Sequence, residues 1–286
     1  MNRIIGIILI VISAASFGTL AVFGRYAYLN GIDTYTLLFL RFGISAIIMG
    51  AMMWLRKESI PDGKTLAQLI GMGAIGYVGQ SYAYLTAIRY ASAGLVALLL
   101  YLYPVFVAIL STVFFHEKIT RLKVLALGLA LAGTALTVSP DGGQIPGILL
   151  ALSAAIIYSF YIIVGTSVMK KVSPLQSSTI IFASAGLVYG ILTTFNGPHL
   201  PSGTSGWLII SGIIVVATII PVVTFLAGLQ RIGPINASML STLEPIVTVI
   251  LVSFLFQEVL KPIAIIGGSM ILFAVIVLTR SELRRG

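Results

Sequence analysis

Residues 95–117 read LVALLLYLYPVFVAILSTVFFHE, and residues 236–258 read NASMLSTLEPIVTVILVSFLFQE. Each run is apolar over the length of a bilayer-crossing helix. Each carries a proline at its tenth position and ends on a glutamate, so Pro104 pairs with Pro245 and Glu117 with Glu258 at a displacement of 141 (245 − 104). The same displacement lays Gly6-Ile7 on Gly147-Ile148, Gly24 on Gly165 and Gly71 on Gly212. Matched glycines, prolines and glutamates outweigh matched leucines, which any two apolar helices share. The chain therefore reads as a duplication, with one copy over residues 1–140 and a second over 141–286.

Around these blocks the sequence is apolar almost throughout. Hydrophobic residues make up 58% of the 286 and charged residues 9%, against about 25% charged in an ordinary soluble domain. Mean hydropathy is +1.10. A spanning helix needs about 20 apolar residues. Ten runs meet that length, near 4–29, 34–54, 66–88, 91–115, 121–139, 146–168, 174–195, 206–229, 234–256 and 261–280. The first is too long for the apolar stretch of a signal peptide, so it is expected to stay as a span.

Lysine and arginine set the orientation. If span 1 starts in the cytoplasm, the termini and loops 2–3, 4–5, 6–7 and 8–9 hold thirteen of the 17 basic residues; the opposite face holds Arg89 and Lys261, with Arg25 near its edge. Five spans per copy force the second copy to lie inverted. Charge agrees, because loop 2–3 carries Arg56, Lys57 and Lys64 whereas its copy, loop 7–8, carries none. The expectation is an all-α integral membrane protein of ten transmembrane helices, two inverted five-helix repeats, with both termini cytoplasmic. The net charge of +9 is spread over these loops rather than gathered on one face, which argues against a nucleic-acid partner. Cysteine is absent.

Polar residues inside the spans carry the chemistry. Glu244 lies ten residues into span 9, about 15 Å deep in a ~30 Å core. An intramembrane carboxylate is costly and marks a functional site by default. Ser238, Ser241 and Thr248 are at helical spacing from it. The repeat copy of Glu244 is Tyr103 and that of Arg41 in span 2 is Phe182, so each charge belongs to one half only. Arg41 reads as a planar fork for a substrate carboxylate, as a structural partner of Glu244, or as a side chain that snorkels to the outer interface. Tyr103 and Tyr82 belong to a tyrosine cluster in spans 3, 4 and 6 that could hold an ammonium by cation–π contact. Gln80 is a further cavity ligand. Pro104 and Pro245 are expected to kink their helices, as is Pro221, whose copy is Gln80. Glu117 and Glu258 sit at helix ends, where they read as structural or gating contacts. His116 and His199 lie at span ends, so no metal cluster, catalytic dyad or nucleotide motif emerges and neither cofactor nor metal is expected.

Ser16-Phe17-Gly18-Thr19, Leu40-Arg41-Phe42 and the two proline-to-glutamate blocks resemble the EamA family of the drug/metabolite transporter superfamily. The resemblance covers nearly the whole chain. It implies a ten-helix carrier of the cytoplasmic membrane of a bacterium or archaeon, with a central cavity and alternating access. Members mostly move amino acids, other metabolites or drugs, often outward. The residues and the resemblance together give a secondary transporter that moves a small polar metabolite, an amino acid or related amine, outward by proton antiport or exchange. The alternatives are an importer or exchanger of a quaternary amine, nucleoside or drug-like cation, a passive channel, and a membrane-embedded enzyme. Its partners would be the substrate, lipid and protons.

Overall fold

A computed structural model describes residues 2–61, 63–87, 89–91, 93–137, 143–257 and 261–283. Among them no strand forms, and one isolated bridge joins Ala91 to Gly143. The helices are α1 (Asn2–Gly18), α2 (Leu20–Leu29), α3 (Thr34–Leu55), α4 (Gly63–Gly71), α5 (Val78–Ala87), α6 (Ala93–Leu100), α7 (Tyr103–Phe115), α8 (Arg121–Thr137), α9 (Ile145–Val168), α10 (Pro174–Asn196), α11 (Gly203–Ile214), α12 (Ile220–Leu240), α13 (Glu244–Phe256) and α14 (Pro262–Leu283). Two short π-helical turns, Met72–Tyr77 and Val215–Ile219, join α4 to α5 and α11 to α12. Seven helical runs among the described residues are long and apolar enough to cross a membrane. In hydrocarbon a helix is the one open structure that satisfies its own backbone, so an apolar chain of this length folds as a helix bundle.

The longest run, Gly203–Phe256, has 54 residues, about 81 Å if straight. It bends inside α12 at Gly233, whose φ of 77° and ψ of 170° suit glycine almost alone. Pro234 then opens the next helical segment. The whole connection between these two spans is that single glycine.

Helix pairing follows a twofold rule. α3 packs on α10 and α8 on α14, each joining equivalent helices of the two repeats; α1 packs on α12 as α9 packs on α5. Small residues let the backbones meet. A Cβ on Gly186 would stand 2.9 Å from the backbone nitrogen of Gly43 in the α3–α10 contact. One on Gly133 would stand 2.6 Å from the Gly267 carbonyl in the α8–α14 contact.

The α3–α10 pair is clipped at both ends. At one, Asp33 caps α3 by accepting from the Tyr35 and Thr36 amides at 2.8 and 3.1 Å. The His199 amide donates to Thr36 Oγ1 at 3.0 Å, and His199 Nδ1 lies 3.3 Å from Asp33. Desolvation raises the Asp33 carboxyl, but hydrogen bonds from Thr36, Tyr35 and His199 together outweigh it and hold the group below its ordinary value. At the other end Ser173 and Gln176 form a capping box on α10. Ser173 also donates to Glu58, and Gln176 Nε2 donates to the Ser59 carbonyl at 2.7 Å.

Gly267→Val should drive its side chain into the Gly133 carbonyl and separate α8 from α14, an overpacking cost of about 1–3 kcal/mol. Gly71→Ala, where an added Cβ meets nothing within 4 Å, is the control. Thermal unfolding in detergent should show a lower Tm for Gly267→Val and an unchanged or higher one for Gly71→Ala. Equal Tm values would mean that the α8–α14 backbone contact adds nothing.

Candidate functional site

Both proline-to-glutamate blocks break the helix that carries them. α6 ends at Leu100, Tyr101 and Leu102 form a turn, and α7 restarts at Tyr103 with Pro104 in its first turn. α12 ends at Leu240, Ser241–Leu243 wind into a 3₁₀ turn, and α13 restarts at Glu244 with Pro245 in its first turn. The sequence led us to expect kinks inside continuous helices. The interruption instead precedes each proline, because proline costs nothing in a first turn, where its missing N–H has no intrahelical acceptor. Pro221 behaves alike, standing in the first turn of α12 just after the π-helical turn.

A break in a buried helix leaves carbonyls that need donors. A hydroxyl from across the site supplies one here. Ser241 donates to the Ala237 carbonyl at 2.9 Å and Thr242 to that of Met239 at 2.6 Å, carbonyls that also accept backbone N–H groups. Tyr103 reaches across from the other break to the Ser238 carbonyl at 3.3 Å, and the Ser159 hydroxyl of α9 lies between the Ala155 carbonyl at 2.7 Å and the Tyr103 carbonyl at 3.1 Å. Thr248 donates to the Gly18 carbonyl at 3.1 Å. The polar stripe of span 9 thus serves the backbone first, with the proton of Ser241 already committed.

Glu244 stands at the junction of the breaks and is half-buried. The Tyr101 hydroxyl is within hydrogen-bonding reach of its carboxyl group. Tyr103 and Tyr158 meet edge to face at 4.8 Å, and Tyr158 stacks on Tyr161 at 5.8 Å. The Ser16–Thr19 stretch closes one side: Gly18 lies so near α13 that a Cβ there would stand 2.8 Å from Val247 and 3.0 Å from the Glu244 carbonyl. Glu244, Tyr103 and Ser241 are thus brought together, joined by Tyr101 from the same tyrosine-rich stretch as Tyr103. Gln80 is partly buried on α5 and accepts from Ser81 at 3.3 Å. Tyr82 is 55% exposed and stands apart from that group.

Arg41 is 4% exposed, and its fork is occupied. Nε donates to Thr218 Oγ1 at 2.7 Å and Nη2 to the Ala217 carbonyl at 3.2 Å, both on the second π-helical turn. Tyr77, the last residue of the first π-helical turn, lies close enough for its hydroxyl to act on the same guanidinium. The Phe42 ring lies 4.9 Å from its guanidinium carbon. Thr218 and Ala217 were not singled out from the sequence. One signal was available: Thr218 is the repeat copy of Tyr77 (218 − 77 = 141), a polar side chain at the same place in two apolar runs.

The profile of the EamA-like transporter family matches the chain twice, over residues 4–139 and 145–280. The two matches are offset by 141 (145 − 4), the displacement that pairs the proline blocks. The chain belongs to the EamA-like transporter family. An uncharacterized transporter of Archaeoglobus fulgidus is 32% identical over 274 residues, covering 95% of each chain. The inner membrane transporter YedA of Escherichia coli is 25% identical over 247 residues, 84% of this chain and 79% of its own. A crystal structure aligns with a TM-score of 0.83 over 97% of both chains at 21% identity, a likeness of fold. This EamA-like protein is a multi-pass integral protein of the cell membrane.

Two glutamates close the EamA-like proline blocks. Glu258 lies outside the described residues. Glu117 fastens the start of α8: its carboxylate lies 3.5 Å from Lys123 Nζ, and Lys123 is 3% exposed. The adjacent His116 ends α7 in the left-handed region at φ 55°. If the role of Glu117 is this anchorage, Glu117→Gln should lower Tm by several degrees, because the buried ammonium loses a carboxylate. Lys123→Met in the same chain should recover most of the loss. Additive losses in the double variant would remove the pair as an anchor.

Proposed function

We propose that this transporter is a ten-crossing alternating-access carrier that moves an amine-bearing metabolite, amino acids included, outward in exchange for protons. Both termini are cytoplasmic in this reading, and the second repeat is inverted. Supporting the topology are the odd number of expected spans per repeat and the excess of basic residues on one set of loops. Supporting the class are the family and the discontinuous helices at matched positions, since broken helices near the midplane are where secondary transporters build their sites.

One observation carries the substrate class: a half-buried carboxylate, Glu244, stands at the junction of two helix breaks beneath Tyr101, Tyr103 and Tyr158. Hydrocarbon penalises its charged form, so the group needs either a proton or a cation. A substrate ammonium and a proton then compete for one site. Each crossing carries one or the other, which makes the two fluxes an exchange. The carboxylate-binding role first read into Arg41 gives way here, because that fork is engaged with Thr218, Ala217 and Tyr77. A second reading, transport of a quaternary ammonium, is favoured by the Tyr103–Tyr158 edge-to-face pair, whose ring faces attract cations without needing N–H donors.

A thermal-shift screen of amino acids, primary amines and tetraalkylammonium salts would find the ligand, since a compound that binds only the folded state raises Tm. Proteoliposomes with an imposed pH gradient then test the exchange. Glu244→Gln should abolish gradient-driven uptake of the compound while the protein stays folded. Wild-type flux with wild-type pH dependence in that variant would make Glu244 structural and end this reading. For the topology, cysteine at Ser202 should react with an impermeant maleimide from outside and cysteine at Ser59 should not; the native chain contributes no background thiol.

A further inference from the structure

The two π-helical turns occupy matched places in the repeats. Moved by 141, Met72–Tyr77 falls on residues 213–218, overlapping Val215–Ile219. A π-helical turn is wider than an α-turn and leaves backbone groups out of the regular ladder. In the second repeat the accounting can be followed atom by atom. Thr218 Oγ1 donates to the Ile213 carbonyl, five residues back, at 2.7 Å. That oxygen accepts from Arg41 Nε, and the neighbouring Ala217 carbonyl accepts from Nη2. On the first repeat's turn the hydroxyl of Tyr77 meets the same guanidinium. The Tyr77 ring is held edge-on by Phe42 at 5.0 Å and by Tyr161 at 5.7 Å. One side chain on α3 therefore bonds Thr218 and lies against its repeat equivalent Tyr77, on the corresponding turns of the two halves. α3 can do this because it belongs to a self-paired contact: α3 packs on α10, its own repeat copy. Phe182, the copy of Arg41, lies with its ring centre 6.1 Å from that of Phe42.

We infer that Arg41 is a positioning residue that clasps the π-helical turns of the two repeats together, so that the third helix of each half changes shape in step with the other. This rests on the alternating-access reading and is independent of the substrate. π-helical turns are local irregularities where a helix can shift at small cost. If each turn yielded separately, one half could open before the other had closed. A guanidinium suits the task, since its N–H donors radiate in one rigid plane and bond two helices at once. Glu244 and Arg41 are also within electrostatic reach of one another, so occupancy of the carboxylate by a proton or a cation alters the field in which the clasp sits.

Hydrogen–deuterium exchange of the purified full-length protein in lipid nanodiscs, without ligand, tests this. Tyr77→Phe removes one hydroxyl on the first turn, and exchange at 215–219 in the other repeat should rise about tenfold. Thr218→Val, of nearly the same shape, should do the same to 72–77, whereas Thr218→Ser, which keeps a hydroxyl, should leave 72–77 as protected as in the native protein. Arg41→Lys keeps the charge but not the fork and should loosen both turns. If Tyr77→Phe and Thr218→Val each loosen only their own turn, or if Arg41→Lys leaves both protected, the clasp is wrong. Because no substrate is present, this outcome is separate from failure of the Glu244 exchange reading.

Discussion

A peptide group without a hydrogen-bond partner is costly in hydrocarbon, and this constraint orders the whole molecule. An apolar chain meets it by winding into helices, and each departure from a helix must then be answered from a side chain. The departures among the described residues include the Thr19 turn between α1 and α2, the two proline breaks, the two π-helical turns and the Gly233 bend. Side chains reach backbone carbonyls at two of them: Tyr103 crosses to Ser238 at the second break, and Thr218 and Arg41 serve Ile213 and Ala217 at the second π-helical turn. The polar groups of the interior are therefore parts of the backbone's own accounting before they are anything else.

This explains what could be read from the sequence and what could not. Helix, membrane and duplication were legible, because they follow from run length, hydropathy and the recurrence of Gly, Pro and Glu at one displacement. The gap between the runs 206–229 and 234–256 also contains Gly233, where the chain bends. The character of the breaks was not legible. A proline in an apolar run reports that one N–H is missing; whether the helix bends around the gap or stops before it depends on which donors neighbouring helices offer to the freed carbonyls. The donor to the Ser238 carbonyl, Tyr103, comes from a helix 135 residues away in sequence.

The site was half legible for the same reason. Glu244 and Arg41 stand out as charges in apolar runs, and rise per residue places them at depth. What each faces is a matter of packing between helices far apart in the chain. Arg41 seemed a free fork because its acceptors lie 176 and 177 residues away on a turn whose geometry no local pattern specifies. Tyr82 carries the same chemistry as Tyr101, yet one side chain lies exposed at 55% and the other is buried beside Glu244. Their runs differ in no way that periodicity alone could rank.

The two halves share a scaffold but not their chemistry. Tyr103 occupies the place of Glu244, Phe182 that of Arg41, Gln80 that of Pro221 and Tyr77 that of Thr218. Physical reasons favour this asymmetry. Two carboxylates at the crossing of the breaks would repel one another, and one would have to stay protonated. Two arginines on the α3–α10 pair would need twice the acceptors, yet the freed carbonyl and hydroxyl of the second turn are already used by one. Glu244 and Arg41, within electrostatic reach of one another, offset each other's charge. In the proposed exchange a proton or ammonium arriving at Glu244 would change that balance by a whole charge. In the proposed cycle a symmetric frame would let the protein adopt two mirrored arrangements of similar energy, and one charge on each side of the duplication would give a bound cation something to change. Symmetry in the backbone and asymmetry in the charges are thus complementary requirements for a carrier that must alternate and yet respond to what it holds.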